Sequence, residues 1–192
     1  MLTGLSIAER TQLAPAMATI EGLLNPVKRP GDPFILRPHR VGDMGMIVSQ
    51  QALLYAGEYG WDERFEALVA KIAAQFLEEF DPSRERCWIA ERAGEVVGSV
   101  FLVKSHEDEH VAKLRMLYVD PKARGLGMGG RLVEECVRFA RECRYERITL
   151  WTQSVLLGAR RIYERNGFQL TKQWKHRDFG FELTGETWDL DL

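Results

Sequence analysis

Apolar positions recur along this chain with two different periods, and the changes from one to the other mark its elements. Over residues 62–80, Phe65, Leu68, Val69, Ile72, Ala73, Phe76, Leu77 and Phe80 keep a helical period of about 3.6 residues, with Asp62 placed to cap the start. Shorter apolar or alternating runs read as strands: Phe34–Arg37, Cys87–Glu91, Val96–Val103, Leu114–Val119, Ile148–Thr152, Phe168–Trp174 and Glu186–Leu192. Gly94 turns the second run into the third, and Gly98 marks a bulge or a close approach. Asp43 is positioned to cap a helix to about Tyr55, followed by a glycine-punctuated loop rich in aromatics, Ala56–Trp61. A later helix buries Leu132, Val133, Cys136, Val137, Ala140 and Cys143. Another, from about Leu156 to Arg165, stops at Asn166-Gly167, where glycine suits the left-handed position. The order β, α, α, β, β, β, α, β, α, β, β predicts an α/β fold, a mixed sheet with helices on both faces.

Before this block lies an arm. Ser6 and Glu9 have capping-box spacing, and Leu13, Met17, Ile20 and Leu24 follow at spacings of four, three and four, a narrow seam interrupted by Pro15. A lone short helix of this kind needs a partner surface. Because Asn25–Pro33 holds three prolines and reads as a linker, a second chain is the favoured partner, making a homodimer through the N-terminal helix. The division is thus an arm and linker over residues 1–33 and a domain over 34–192.

Composition removes several alternatives. The 192 residues suit one domain, and a net charge of −2 gives no electrostatic reason to expect nucleic acid. Cys87, Cys136 and Cys143 form no C-x-x-C pair, which argues against a disulfide framework or a metal site and for core thiols. No apolar run reaches the roughly 18 residues of a membrane span, and Glu9 and Arg10 stand where a signal peptide is apolar. The expected location is the cytoplasm.

The chemistry concentrates in Leu114–Gly130, LRMLYVDPKARGLGMGG. An apolar strand ends at Asp120-Pro121, Arg124 follows, and Gly125, Gly127, Gly129 and Gly130 open a helix. Bare backbone N–H groups at a helix N-terminus make a phosphate site. A dinucleotide fold would need an acid about 20 residues on, at the end of the next strand. That strand ends LWTQ. A glycine turn that merely packs a helix on a strand remains open on these residues alone.

Two motifs together carry a family resemblance. Arg124-x-x-Gly127-x-Gly129, and the later Ala159-Arg-Arg-Ile-Tyr163-Glu-Arg-Asn-Gly167-Phe168, resemble the paired motifs of the GNAT N-acetyltransferases over residues 34–192. The resemblance implies the acyl-CoA N-acyltransferase fold, a mostly antiparallel twisted sheet of six to seven strands, and an enzyme that moves an acetyl group from acetyl-CoA to a primary amine of a small molecule by direct attack. It implies that the backbone of Arg124, Gly125, Leu126, Gly127, Met128, Gly129 and Gly130 holds the coenzyme A pyrophosphate. Leu117, Tyr118 and Val119 would pair with the pantetheine arm along a free edge left where their strand splays from Ile148–Thr152. Gln153, Ser154, Ala159 and Arg160 complete the coenzyme site, with Tyr163 as general acid to the departing thiolate; helical spacing with Ala159 and Ile162 alone favours reading Tyr163 as a buried aromatic.

Two positions depart from the family pattern. Val111–Arg115 lacks the glutamate that many relatives use as a base, leaving Glu58 or His110, or a water path needing neither. Leu156 stands where relatives commonly have asparagine, a role Gln153 or Ser154 can fill. Acceptor recognition is expected from loops: Tyr59 and Trp61, which could equally close the core, and Trp151 with His176. A narrower similarity, of both chain ends to bacterial fusions of a MarR-type regulator with an acetyltransferase, brings no DNA-reading domain with it. The rival functions are an acyl-CoA-binding module that signals through the arm without turnover and a DNA-binding regulator, against which the acidic balance argues.

Overall fold

The computed structural model describes residues 34–192; the expected helix over 5–24 and the linker after it lie outside the described residues. The elements are β1 (Ile35–Pro38), α1 (Asp43–Tyr59), α2 (Glu63–Glu79), β2 (Arg86–Arg92), β3 (Glu95–Lys104), β4 (Val111–Val119), a short 3-10 turn (Pro121–Ala123), α3 (Met128–Glu142), β5 (Arg147–Gln153), α4 (Leu157–Arg165), β6 (Gln169–His176) and β7 (Leu183–Asp191). They form one seven-stranded sheet in the order β1-β2-β3-β4-β5-β7-β6. Every neighbouring pair is antiparallel except β4 with β5. The expected element order and sheet class hold.

Alternation along the strands sorts the core onto two faces. Trp88 and Ala90 of β2 pack with α3 residues Leu132, Val133 and Cys136, while Cys87 and Ile89 pack with Met44 and Ile47 of α1 and Ala73 and Phe76 of α2. A third cluster gathers Trp61, Phe65, Val69, Phe179 and Leu183 near Met116 and Leu156. Cys87 and Cys136 are fully buried free thiols and Cys143 is half-buried.

Local chemistry explains where the observed elements part from the expected ones. Asp62 caps α2, accepting from the Arg64 N–H at 3.1 Å. Asp43, by contrast, is the first residue of α1 rather than its cap. Its buried carboxylate accepts from the Arg40 N–H at 2.6 Å and holds the Arg37 guanidinium at 2.7 and 3.0 Å, tying β1 to α1. That pair holds Asp43 below the usual carboxylate range and raises Arg37. The loop expected at Ala56–Trp61 is mostly helix: α1 runs on through Gly57 to Tyr59 and ends where Gly60 turns left-handed, φ 69°, with its N–H on the Ala56 carbonyl. The stop lies at the glycine that is followed by an N-cap, not at the first glycine met. Ala93 and Gly94 both have positive φ at the β2–β3 turn, and Gly167 has φ 88° after α4. Gly98 does lie at a close approach: a Cβ there would sit 3.0 Å from the Tyr118 carbonyl oxygen.

Candidate active site

Strand β4 stays beside β5 only from Val111 to Leu114, the last matched pair being Leu114 with Leu150. Beyond it, β5 continues against β7 to Gln153 and β4 continues against β3 to Val119. The two strands part, and the edge of β4 that faced β5 is left without a strand. A bulge sits at the parting. Phe101 matches Arg115 and Ser99 matches Tyr118, so Met116 and Leu117 together oppose Val100. Met116 takes the left-handed conformation, φ 53°, and its carbonyl accepts from the Ser99 hydroxyl at 3.3 Å. A bulge re-aims the residues after it, here Leu117 to Val119, on the edge left open.

The cavity in this fork encloses about 290 Å³. Arg115, Met116 and Leu117 line it from β4, Trp151 and Gln153 from β5, and Ala159 and Tyr163 from α4; Gln51 and Tyr55 of α1 and Trp61 close it on the other side. Tyr163 is buried, and burial raises its phenol, with Tyr55 adding to the shift. Burial likewise raises Tyr55, which stacks on Trp61 at 4.7 Å. Both phenols therefore keep their protons at neutral pH. No aspartate, glutamate, histidine or cysteine is among the cavity's lining residues.

Past β4, Asp120 accepts from the Lys122 N–H at 2.8 Å and fixes the turn. Gly125 and Gly127 take φ 81° and 75°, Gly127 is the N-cap of α3, and no side chain caps it. The first N–H groups of α3 are thus available to an anion. A Cβ on Gly129 would lie 2.6 Å from Ile162 Cδ1, so glycine there lets α3 and α4 approach. These features, an open strand edge followed by an uncapped helix start, fit an extended amide-bearing arm with a pyrophosphate at one end.

The other expected site residues divide among this fork, the core and the surface. Arg124 and Glu58 form a two-toothed ion pair at 2.9 and 3.0 Å, pinning the end of α1 to the glycine loop. Glu58 is not among the cavity's lining residues. His110 precedes β4, with its ring 3.4 Å from Glu146 and 3.8 Å from Glu109, and also stands outside the lining. Tyr118 is buried, its hydroxyl 3.4 Å from Asp120, and burial pushes it up to about 12. Val119 packs in the core and Met128 is buried beneath the loop. Gln153 bonds His176 at 2.9 Å, and the Ser154 N–H donates to the Thr184 carbonyl. Arg160 pairs with the fully buried Glu186 at 3.2 Å. Tyr59 packs on Tyr55 and Trp61 behind the cavity wall, Trp61 belongs both to that core cluster and to the lining, and Trp151 is partly exposed beside Trp174 and His176.

Sequence reading missed Gln51, Tyr55 and Arg115. The first two carried a signal: Met44, Ile47, Gln51 and Tyr55 succeed one another at helical spacing, so a polar side chain sat on an otherwise apolar seam. Arg115 comes to the cavity only when β4 is assembled against the elements around it, and that left no mark in the sequence.

Fold and fork together are those of an acyl-CoA transferase. The family model for the Acetyltransferase (GNAT) family matches residues 53–168, more than half of the chain, and the chain belongs to that family. It is an acetyl-CoA-dependent N-acetyltransferase. Among curated proteins it is similar to an uncharacterised N-acetyltransferase of Schizosaccharomyces pombe, 27% identical over 139 residues, 72% of this chain and 82% of that protein. It is 29% identical over 131 residues to the probable N-acetyltransferase camello of Xenopus tropicalis, 66% of this chain and 60% of that one. With the N-acetylaspartate synthetase of Danio rerio it shares 33% over 101 residues, 53% of this chain and 34% of that protein. The chain therefore spans less than two thirds of these last two relatives. Its fold is that of the ribosomal-protein-alanine N-acetyltransferase of Brucella melitensis, TM-score 0.68 at 22% identity, covering 82% of this chain and 99% of that one. It is also that of a putative acetyltransferase from Salmonella typhimurium solved with its cofactor acetyl-CoA, TM-score 0.66 at 18% identity, covering 83% and 94%.

Proposed function

We propose that the protein acetylates a primary amine of a small molecule, by direct attack of that amine within a ternary complex. The observation that carries this is the fork itself: a strand edge freed beyond Leu114 and a buried, protonated tyrosine meet at one cavity, and the same strand leads on to an uncapped helix N-terminus. Acetyl-CoA, when bound, supplies the activated acetyl thioester. The backbone of Arg124 to Gly130 holds its pyrophosphate and the edge of Leu117 to Val119 pairs with its amides. Gln153, Ser154, Ala159 and Arg160 flank the same path. A carbonyl that gains negative charge needs a donor, and the β4 backbone just past the bulge offers one.

Tyr163 holds its proton well above its ordinary range because burial penalises the phenolate, so it can give that proton to the leaving sulfur. The new bond is amine nitrogen to acetyl carbon, the broken one acetyl carbon to sulfur; the amine's proton leaves to water, and the Tyr163 phenolate takes a proton back from water to close the cycle. Glu58 or His110 could receive it only through intervening water, since neither lines the cavity. Direct attack is supported by the lack of cysteine in the lining and by the raised thiols of Cys87 and Cys136. A small acceptor is supported by the cavity's size and by the relatives named N-acetylaspartate synthetase. To the same proposal belong a cytoplasmic location, pairing of two chains through residues 5–24, and the kinship of both chain ends with regulator fusions.

Initial rates measured while acetyl-CoA and amine are both varied test it. A ternary complex gives intersecting double-reciprocal lines; parallel lines, or a protein that carries acetyl after gel filtration, would instead mean an acetylated enzyme.

A further inference from the structure

We infer that the acceptor is an amino-carboxylate, a small amine that also carries a carboxylate, and that Arg115 with Gln51 and Trp61 is the receptor for that carboxylate. The inference deepens the acetyl-transfer reading and rests on it.

Its basis is the polarity of the cavity. Two cations, Lys113 and Arg115, and no carboxylate are among its lining residues. Lys113 is already neutralised, its Nζ lying on Glu107. Arg115 is half-buried and has no ion pair or side-chain hydrogen bond among the described residues. Glu107 acts on it only from a distance, being engaged with Lys113 and the Ser105 hydroxyl, and burial pulls the guanidinium down from its ordinary value. Arginine stays charged through any such shift, so an unmatched positive charge faces the cavity.

Two further donors among the lining residues have no partner. Gln51 Nε2 and Trp61 Nε1 are buried and unbonded, in side chains only 3% and 4% exposed, and both residues line the same cavity. Buried polar groups are ordinarily satisfied, so each such exception needs a ligand or a water. Gln51 can present either end of its amide, but the indole and the guanidinium can only donate. One carboxylate, with about four acceptor positions, meets a guanidinium fork and two single donors together; a lone thioester carbonyl cannot.

The same arrangement bears on the missing base. A cation near an ammonium group disfavours its charged form, so an amine held beside Arg115 sheds its proton more readily. A cationic pocket thus helps make the neutral nucleophile that a pocket without a carboxylate base requires. It also disfavours a polyamine or the side-chain amine of a protein lysine, neither of which brings an anion.

Free-thiol release from acetyl-CoA is measured with a panel of α-amino acids, their carboxamides and their decarboxylated amines. The expected result is a kcat/KM about 10- to 100-fold higher for the carboxylates. Arg115→Gln should remove that preference, and Arg115→Lys should restore part of it. The KM for acetyl-CoA and the Tm of Arg115→Gln should stay close to those of the unmutated protein. Carboxamides or decarboxylated amines used as well as the acids would overturn the carboxylate receptor and leave acetyl transfer standing. Acetyl-CoA binding by calorimetry with no thiol released by any amine would remove acetyl transfer, and this inference with it.

Discussion

Tyr163 and Met116 carry opposite kinds of information at the residue scale. The sequence marks Tyr163 through its place in a motif, yet its spacing alone also fits a core aromatic, and the structure makes it both: buried, and on the cavity wall. Tyr163→Phe keeps the ring and removes only the proton, so kcat should fall by about 100-fold or more while Tm changes little, as measured by thiol release and thermal unfolding. Its phenol is raised, so the protonated form persists as pH rises. The rate should therefore climb through the alkaline range as the amine deprotonates, without a falling limb below about pH 10, the ordinary tyrosine value. A descending limb centred near neutrality would assign the acid to another group. Met116, which no sequence pattern singles out, holds a left-handed φ at the bulge. Met116→Val should cost about 1–3 kcal/mol in urea unfolding, because a β-branched side chain fits that conformation worst; Met116→Gly should be tolerated far better.

At the scale of elements, periodicity made α2 and the glycine-opened α3 legible, since each shows one apolar face for its whole length. Boundaries decided by single glycines were not. Gly57 and Gly60 look alike in sequence, but only Gly60 takes the left-handed turn, which is how a supposed loop became the last turn of α1. Asp43 was misread for a similar reason: an aspartate at a helix start is ordinarily a cap, and here Arg37 from β1 captures it. Because Asp43 titrates below its ordinary value of about 4 when folded, its pair contributes stability above that pH and loses it as pH falls through the folded pKa. Asp43→Asn should cost about 2–4 kcal/mol at neutral pH, and the gap from the unmutated protein should narrow below about pH 4 in acid unfolding curves. Gly98→Ala should also destabilise, by about 1–3 kcal/mol, because its Cβ meets the Tyr118 carbonyl oxygen, which is fixed in β4.

For the molecule as a whole, the order of elements and the glycine loop were readable because each depends on local pattern. The fork was foreseen from the family resemblance, and the pantetheine's need for amide partners fits it. The cationic character of the cavity was not, because Gln51, Trp61 and Arg115 are far apart in sequence and meet only when α1, the α1–α2 connection and β4 are assembled. Net charge was no guide either: the chain is slightly acidic at −2 while the cavity lining holds two cations and no acid. No helix among the described residues is long and apolar enough to cross a membrane.

The most direct measurement is free-thiol release from acetyl-CoA by the unmutated protein across an amine panel, set beside calorimetric binding of acetyl-CoA to the same preparation. Acetyl transfer predicts release that saturates with acceptor, an acetylated product of matching mass, and a fall of about 100-fold in Tyr163→Phe with binding retained. Tight acetyl-CoA binding with no acceptor-dependent release would contradict it and leave a protein that holds the thioester without spending it.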